Sequence, residues 1–226
     1  AIDRTGVALL GLIVLLATGD LSLDEAGRAV DMPTITLLFA LMIISAQFEN
    51  SGFYGMVADR VTHAAQSPKL LLAAIVLVTG ILSALLTNDV VVFALTPLIC
   101  AGLLAQGLDA RPYLVALAGA ANAGSAATLI GNPQNILIGQ AGGLPFWSYI
   151  LMALPPTLLA LAAVYVAVLV TWSKALKAPA GANDNMIKSH TPRVDRVQIA
   201  KAFASVALLV GLFLTPLPRE LGALAV

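Results

Sequence analysis

Hydrophobic residues in this chain come in long runs, and polar residues collect in the short gaps between them. The first run, Thr5 to Thr18, predicts a short span of about 14 apolar or neutral residues, against the 20 or so that cross a bilayer. It can lengthen into Gly19 to Leu23 or upstream of Ala1. Leu21 to Asp31 is a polar link in which Ser22, Asp24 and Glu25 suit the start of a short surface helix. Pro33 opens a second span that runs through Phe48, since proline is tolerated in a first helical turn, and Glu49-Asn50-Ser51-Gly52 closes it. Phe53 to Ala65 is amphipathic: Phe53, Met56, Val57 and Val61 share one side, while Asp59, Arg60 and His63 point elsewhere. That pattern predicts a helix lying along the membrane interface; the plainer alternative is a loop helix packed on other protein.

Lys69 to Leu86 and Val90 to Ala105 are apolar arms on either side of Thr87-Asn88-Asp89, each 16 to 18 residues long. Length allows two full crossings or a hairpin that enters and leaves on one side. Gly80, Ser83 and Ala84 suit close packing inside protein, and no charged or aromatic interface residue flanks the triplet, so composition favours the hairpin. After a polar turn from Gln106 to Pro112 comes an apolar stretch to Ile130 in which Ala118 to Ala127 is Ala and Gly apart from Asn122 and Ser125, suited to threading a crowded bundle. Its helix is expected to break at Gly131-Asn132-Pro133, because proline lacks a donor and disfavours helix just before it. A short second half resumes over Gln134 to Gly139.

Phe146 to Trp172 is an ordinary crossing. Trp147 and Trp172 lie 25 residues apart, about 37 Å of helix, as tryptophans in two interfacial belts should, and Pro155-Pro156 predicts a kink. Ser173 to Gln198 is polar, Ile199 to Leu214 is another crossing, and Thr215 to Val226 begins a further element. The organisation expected is therefore scaffold helices over 1–52, an interfacial helix over 53–67 and a transport region over 68–145. That region holds a re-entrant hairpin (69–105) and a broken helix (112–141). A crossing (146–172), a linker (173–198) and a connecting helix with the start of a second repeat (199–226) complete the chain.

Composition turns this pattern into a fold class. Of 226 residues, 59% are hydrophobic and 11% charged, where a soluble domain carries about 25% charge, and mean hydropathy is +0.93. The lipid bilayer is the expected solvent and the chain an all-α polytopic membrane protein. Net charge is zero and the basic residues have no aromatic interleaving, so no nucleic acid is expected. Cys100 alone excludes an intrachain disulfide, His63 and His190 are too few for a metal cluster, and Gly6 to Thr18 lacks the basic leader of a signal peptide. No nucleophile–base pair or phosphate-binding loop appears, so an enzyme is not expected, nor any cofactor beyond a coupling ion.

Lys174, Lys177, Lys188, Arg193, Arg196 and Lys201 cluster in or beside one loop, which should be cytoplasmic. Counting spans backwards places Arg111, Lys69, Arg60 and Arg4 on the same side, and so the N-terminus too. Arg4-Thr5-Gly6-Val7-Ala8-Leu9 and Arg219-Glu220-Leu221-Gly222-Ala223-Leu224 both set arginine before a small-residue apolar run. They would begin on opposite sides, as an inverted second copy starting near Pro218 requires. With the last helix unfinished, the chain is expected to lack most of that second half.

The chemistry lies at the two breaks. An ionised carboxylate at bilayer depth must be paired, hydrated or bound to a cation, or else protonate, so Asp89 suits coupling to Na+ or to H+. Thr87 and Asn88 add neutral oxygens; Gly131 and Asn132 add carbonyls, with Thr128, Asn132 and Asn135 as side-chain partners beside Pro133. Asn88, Asp89, Gly131 and Asn132 are thus the candidate Na+ ligands. Asn122 and Ser125 are candidate lining residues, and Glu49 a weaker coupling candidate. The bland alternative is that Asn88-Asp89 caps the outgoing helix and the asparagines hold broken ends together.

Leu86 to Ile99 (LTNDVVVFALTPLI) and Ala121 to Gly139 (ANAGSAATLIGNPQNILIG) resemble the first half of the ion transporter superfamily, which includes arsenite permeases, citrate and dicarboxylate carriers and certain sodium–proton antiporters. The order of elements matches over essentially the whole chain. The resemblance implies a re-entrant hairpin tipped by Thr87-Asn88-Asp89 and an unwound element at Gly131 to Asn135, facing an equivalent pair from an inverted second half. It also implies a homodimer whose scaffold holds a moving transport region, expected in a bacterial inner membrane. Dicarboxylate carriers usually have Ser-Asn-Thr at the tip and a second motif like G-T-P-P-N. The Asn-Asp tip here is closer to arsenite and anion permeases, whereas sodium–proton antiporters typically reverse that order. The expected activity is secondary active transport of a small oxyanion or organic carboxylate driven by H+ or Na+. The alternatives are a Na+/H+ antiporter without organic substrate and a non-transporting membrane assembly subunit.

Overall fold

The computed structural model describes residues 3–64, 67–174, 176 and 194–212, and all regular structure among them is helical. Ten helices follow in order: α1 (Arg4–Thr18), α2 (Leu23–Arg28), α3 (Met32–Asn50), α4 (Phe53–Ala64), α5 (Pro68–Leu85), α6 (Asn88–Ala105), α7 (Ala110–Ser125), α8 (Pro133–Ala141), α9 (Phe146–Thr171) and α10 (Arg196–Leu212). Four of them, α3, α5, α6 and α9, are long and apolar enough to cross a membrane. The protein is a multi-spanning, all-α membrane protein.

Local chemistry sets the ends. The Asp3 carboxylate accepts the Gly6 amide at the start of α1, and Gly19, at φ 76°, turns the chain left-handed at its end. The first span therefore does not extend into Gly19 to Leu23; a left-handed residue cannot continue the helix. Ser22 and Glu25 form a reciprocal capping box on α2, and hydrogen bonds from the Ser22 side chain and backbone hold the Glu25 carboxyl below its usual range. Asp31 caps α3 at the Thr34 amide, with Pro33 in the first turn as expected.

The centre of the molecule is α7. Nine of its sixteen residues are buried, among them Ala116, Leu117, Ala120 and Ala121, and α5, α6 and α9 all pack on it. At Gly124 any β-carbon would run into the backbone of Gly80, so α5 and α7 meet main chain to main chain. Small residues permit that approach and the dispersion contacts it brings. By contrast α9, more apolar along its length, buries four of its twenty-six residues.

Helix α4 packs along one side on other helices. Phe53, Tyr54, Ala58 and Val61 are buried because α4 packs on α3, α5 and α6, and the Phe53 ring meets Phe48 at a tilt and Phe203 edge-on, with ring centroids 5.0 and 5.5 Å apart. Its apolar side is covered by protein while Asp59 and Arg60 stay exposed. Most of the 173–198 linker and the segment expected to begin a second repeat near Pro218 lie outside the described residues.

Candidate functional site

Between α5 and α6 the chain spends two residues, Leu86 and Thr87, both extended. Thr87 starts α6 without a side-chain cap. The first amide of α6, which has no intrahelical acceptor, finds one across the fold: the Asn88 N–H donates to the Gly131 carbonyl at 3.0 Å. The two polar interruptions, 43 positions apart in the sequence, thus touch through a main-chain hydrogen bond. A second link runs between side chains: Asn88 Nδ2 donates to Asn122 Oδ1 at 3.1 Å. A third joins Thr128 Oγ1 to the Ala84 carbonyl at 2.6 Å, supplying a donor for the last turn of α5 where no helical amide remains.

The second break is wider than expected. Helix α7 ends at Ser125 rather than continuing to Ile130, and residues 126–132 form successive turns before α8. Nothing in Ala126-Ala127 forbids helix; tertiary contacts end it. Asn135 Nδ2 donates to the carbonyls of Ser125 (3.2 Å) and Thr128 (2.9 Å), and the Tyr149 hydroxyl of α9 donates to Ala126 O at 3.2 Å. Gly131 is folded so close to the Ser125 backbone that a β-carbon there would overlap it. Asn132 caps α8, its Oδ1 accepting the Asn135 amide at 2.7 Å, and its Nδ2 donates to Ser125 Oγ at 3.1 Å. Ser125 Oγ in turn donates to Asn122 O at 3.0 Å. Pro133, lacking a donor, starts α8 where none is needed.

The candidate residues divide on this geometry. The side chains of Asn132, Asn135, Ser125 and Thr128 all make hydrogen bonds within the protein. At the tip, Thr87 Oγ1 and Asn88 Oδ1 are buried with no hydrogen-bond partner, the condition in which an acceptor gains most from a ligand. Asp89, in the first turn of α6, is exposed with no salt bridge among the described residues. Asn122 is exposed and holds Asn88, and Glu49 is exposed at the end of α3, away from both breaks in sequence. Among the described residues no three His, Cys, Asp or Glu side chains converge as a metal site would require. The backbone acceptor Ala84 and the hydroxyl of Tyr149 were not among the sequence candidates. A main-chain carbonyl leaves no sequence signal, but a tyrosine in an apolar span has a hydroxyl that needs a partner.

The sequence pattern described as "Citrate transporter" matches residues 1–226. Similar curated proteins include the putative transporter arsB of Dictyostelium discoideum, 29% identical over 87% of this chain and 35% of its own length. The silicon efflux transporter LSI3 of rice is 36% identical over 70% of this chain and 32% of its own length. The inner membrane protein YbiR of Escherichia coli is 35% identical over 56% of this chain and 34% of its own. The chain spans about a third of the length of these relatives.

Proposed function

The chain belongs to the citrate transporter family, within a wider group of membrane ion transporters rather than enzymes, and on that premise we propose that it forms the first half of a secondary active carrier for a small anion. The carrier moves an inorganic oxyanion or an organic carboxylate by alternating access, coupled to H+ or Na+. The observation that carries this reading is the hydrogen bond from the Asn88 amide to the Gly131 carbonyl. It sets the unpartnered oxygens of Thr87 and Asn88 beside a main-chain carbonyl that keeps a second lone pair.

In this reading residues 69–105 are a re-entrant hairpin and 112–141 a broken helix, together the moving part, with 1–52 as scaffold. An inverted second half supplies the matching tip and break. Thr87, Asn88 and Gly131 offer neutral oxygens to the coupling cation, and Asp89 carries the charge that makes coupling to Na+ or a proton possible. Thr128, Asn132, Pro133 and Asn135 hold the break open, and Asn122 with Ser125 keeps the tip registered against it. The carrier works as a homodimer in an inner membrane with the 173–198 loop cytoplasmic. Names borne by relatives, citrate for the family and silicon for the rice protein, support a small solute as the substrate.

An acid next to an amide at the tip also favours a second reading, Na+/H+ exchange with no organic substrate. One experiment addresses both. The full-length carrier is reconstituted in proteoliposomes and given separate Na+ and H+ gradients with a panel of oxyanions, dicarboxylates and citrate. Gradient-driven anion uptake that Asp89→Asn abolishes, with the protein still folded, is the expected result. Na+-driven proton movement with no anion uptake selects the exchanger, and unchanged transport by Asp89→Asn removes Asp89 as coupler.

A further inference from the structure

Helices α3 and α10 meet at one end, where the Asp195 amide donates to the Ser51 carbonyl at 3.0 Å. Beside that junction lies a cavity of about 540 Å³ lined by Gln47 of α3 and by Gln198, Lys201, Ala204, Ser205 and Leu208 of α10. Each of the four polar head groups in it can donate a hydrogen bond, and Lys201 adds a positive charge. None has a hydrogen-bond or ion-pair partner among the described residues, and Lys201 is exposed. Such a set recognises an anionic oxygen group, with the ammonium as the charged contact and the amides and hydroxyl as neutral ones.

The placement of the polar and apolar walls narrows the ligand further. Helix α3 has nineteen residues and is one of the four spans, about 28 Å long and so close to the hydrocarbon thickness. Gln47, in its last turn, stands at headgroup level. Gln198, Lys201, Ser205 and Leu208 are spaced three, four and three residues apart along one side of α10. The groove therefore runs from polar to apolar over about 15 Å, and its far end is Leu208, 52% exposed. A free anion has no use for that apolar end; an acyl chain does. We propose that this groove binds an anionic glycerophospholipid, its phosphate held by Lys201, Gln198, Gln47 and Ser205 and its chain lying along Ala204 and Leu208.

The test is native mass spectrometry of the full-length protein released from micelles containing phosphatidylglycerol or phosphatidylcholine. Wild-type protein should retain phosphatidylglycerol in preference to phosphatidylcholine. Lys201→Gln should weaken that retention about five- to tenfold, the effect of one lost surface charge contact, and Lys201→Arg should keep it. Gln198→Leu should weaken it less, leaving the charge in place. Equal retention by wild type and Lys201→Gln overturns the proposal, as does displacement of the lipid by equimolar inorganic phosphate. So does efficient disulfide capture of a second copy through Ser205→Cys, which would show the groove to be a protein contact.

Discussion

The tip between α5 and α6 and the break between α7 and α8 are both polar interruptions in apolar helices, yet they resolve their polarity in opposite ways. At the break, Ser125, Thr128, Asn132 and Asn135 close a network on one another and on main-chain carbonyls. At the tip, Thr87 Oγ1 and Asn88 Oδ1 are buried and unpartnered, and Asp89 is open. A saturated network gives rigidity, whereas unspent acceptors give capacity for a ligand. Amides and hydroxyls of the same kinds therefore serve different ends according to whether their partners are already inside the protein.

Substitutions can break that contrast, and the largest effect should come from Gly131→Ala. Its methyl meets the Ser125 backbone, which cannot yield without opening the break. A loss of about 3 kcal/mol or more is expected, read as a large fall in the thermal midpoint in detergent. Asn135→Leu comes next: it strands the Ser125 and Thr128 carbonyls and should cost about 2–4 kcal/mol by the same measurement. Thr128→Val removes the 2.6 Å bond to Ala84 and should cost about 1–2 kcal/mol. Smallest for stability is Asp89→Asn, within about 0.5 kcal/mol of wild type, although transport assays should show it to be the most damaging of the four. A tip variant that unfolds, or a break variant that leaves the midpoint untouched, would erase the distinction.

Much of this was legible in the chain because proline, glycine and adjacent polar residues interrupt apolar runs for local reasons. Asn132-Pro133 starts α8 where proline chemistry places a start, and Ser22 with Glu25 marks α2. The end of α7 was not legible. Ala126 and Ala127 are good helix formers, and the helix stops because Asn135 and Tyr149 take the carbonyls of its last turn and the turns after it. The same limit applies to α4, whose amphipathic pattern fits an interface as well as a protein surface, and whose Phe48, Phe53 and Phe203 cluster joins residues far apart in sequence. At the candidate site, residue types marked both interruptions. Which amides were already engaged depended on distances no spacing rule encodes.

The contact between Gly80 and Gly124 has a mechanical consequence. With no side chain between the two backbones at this point, α5 and α7 have no cushion across which to slide. In the carrier proposed above, this pair would therefore move as one piece.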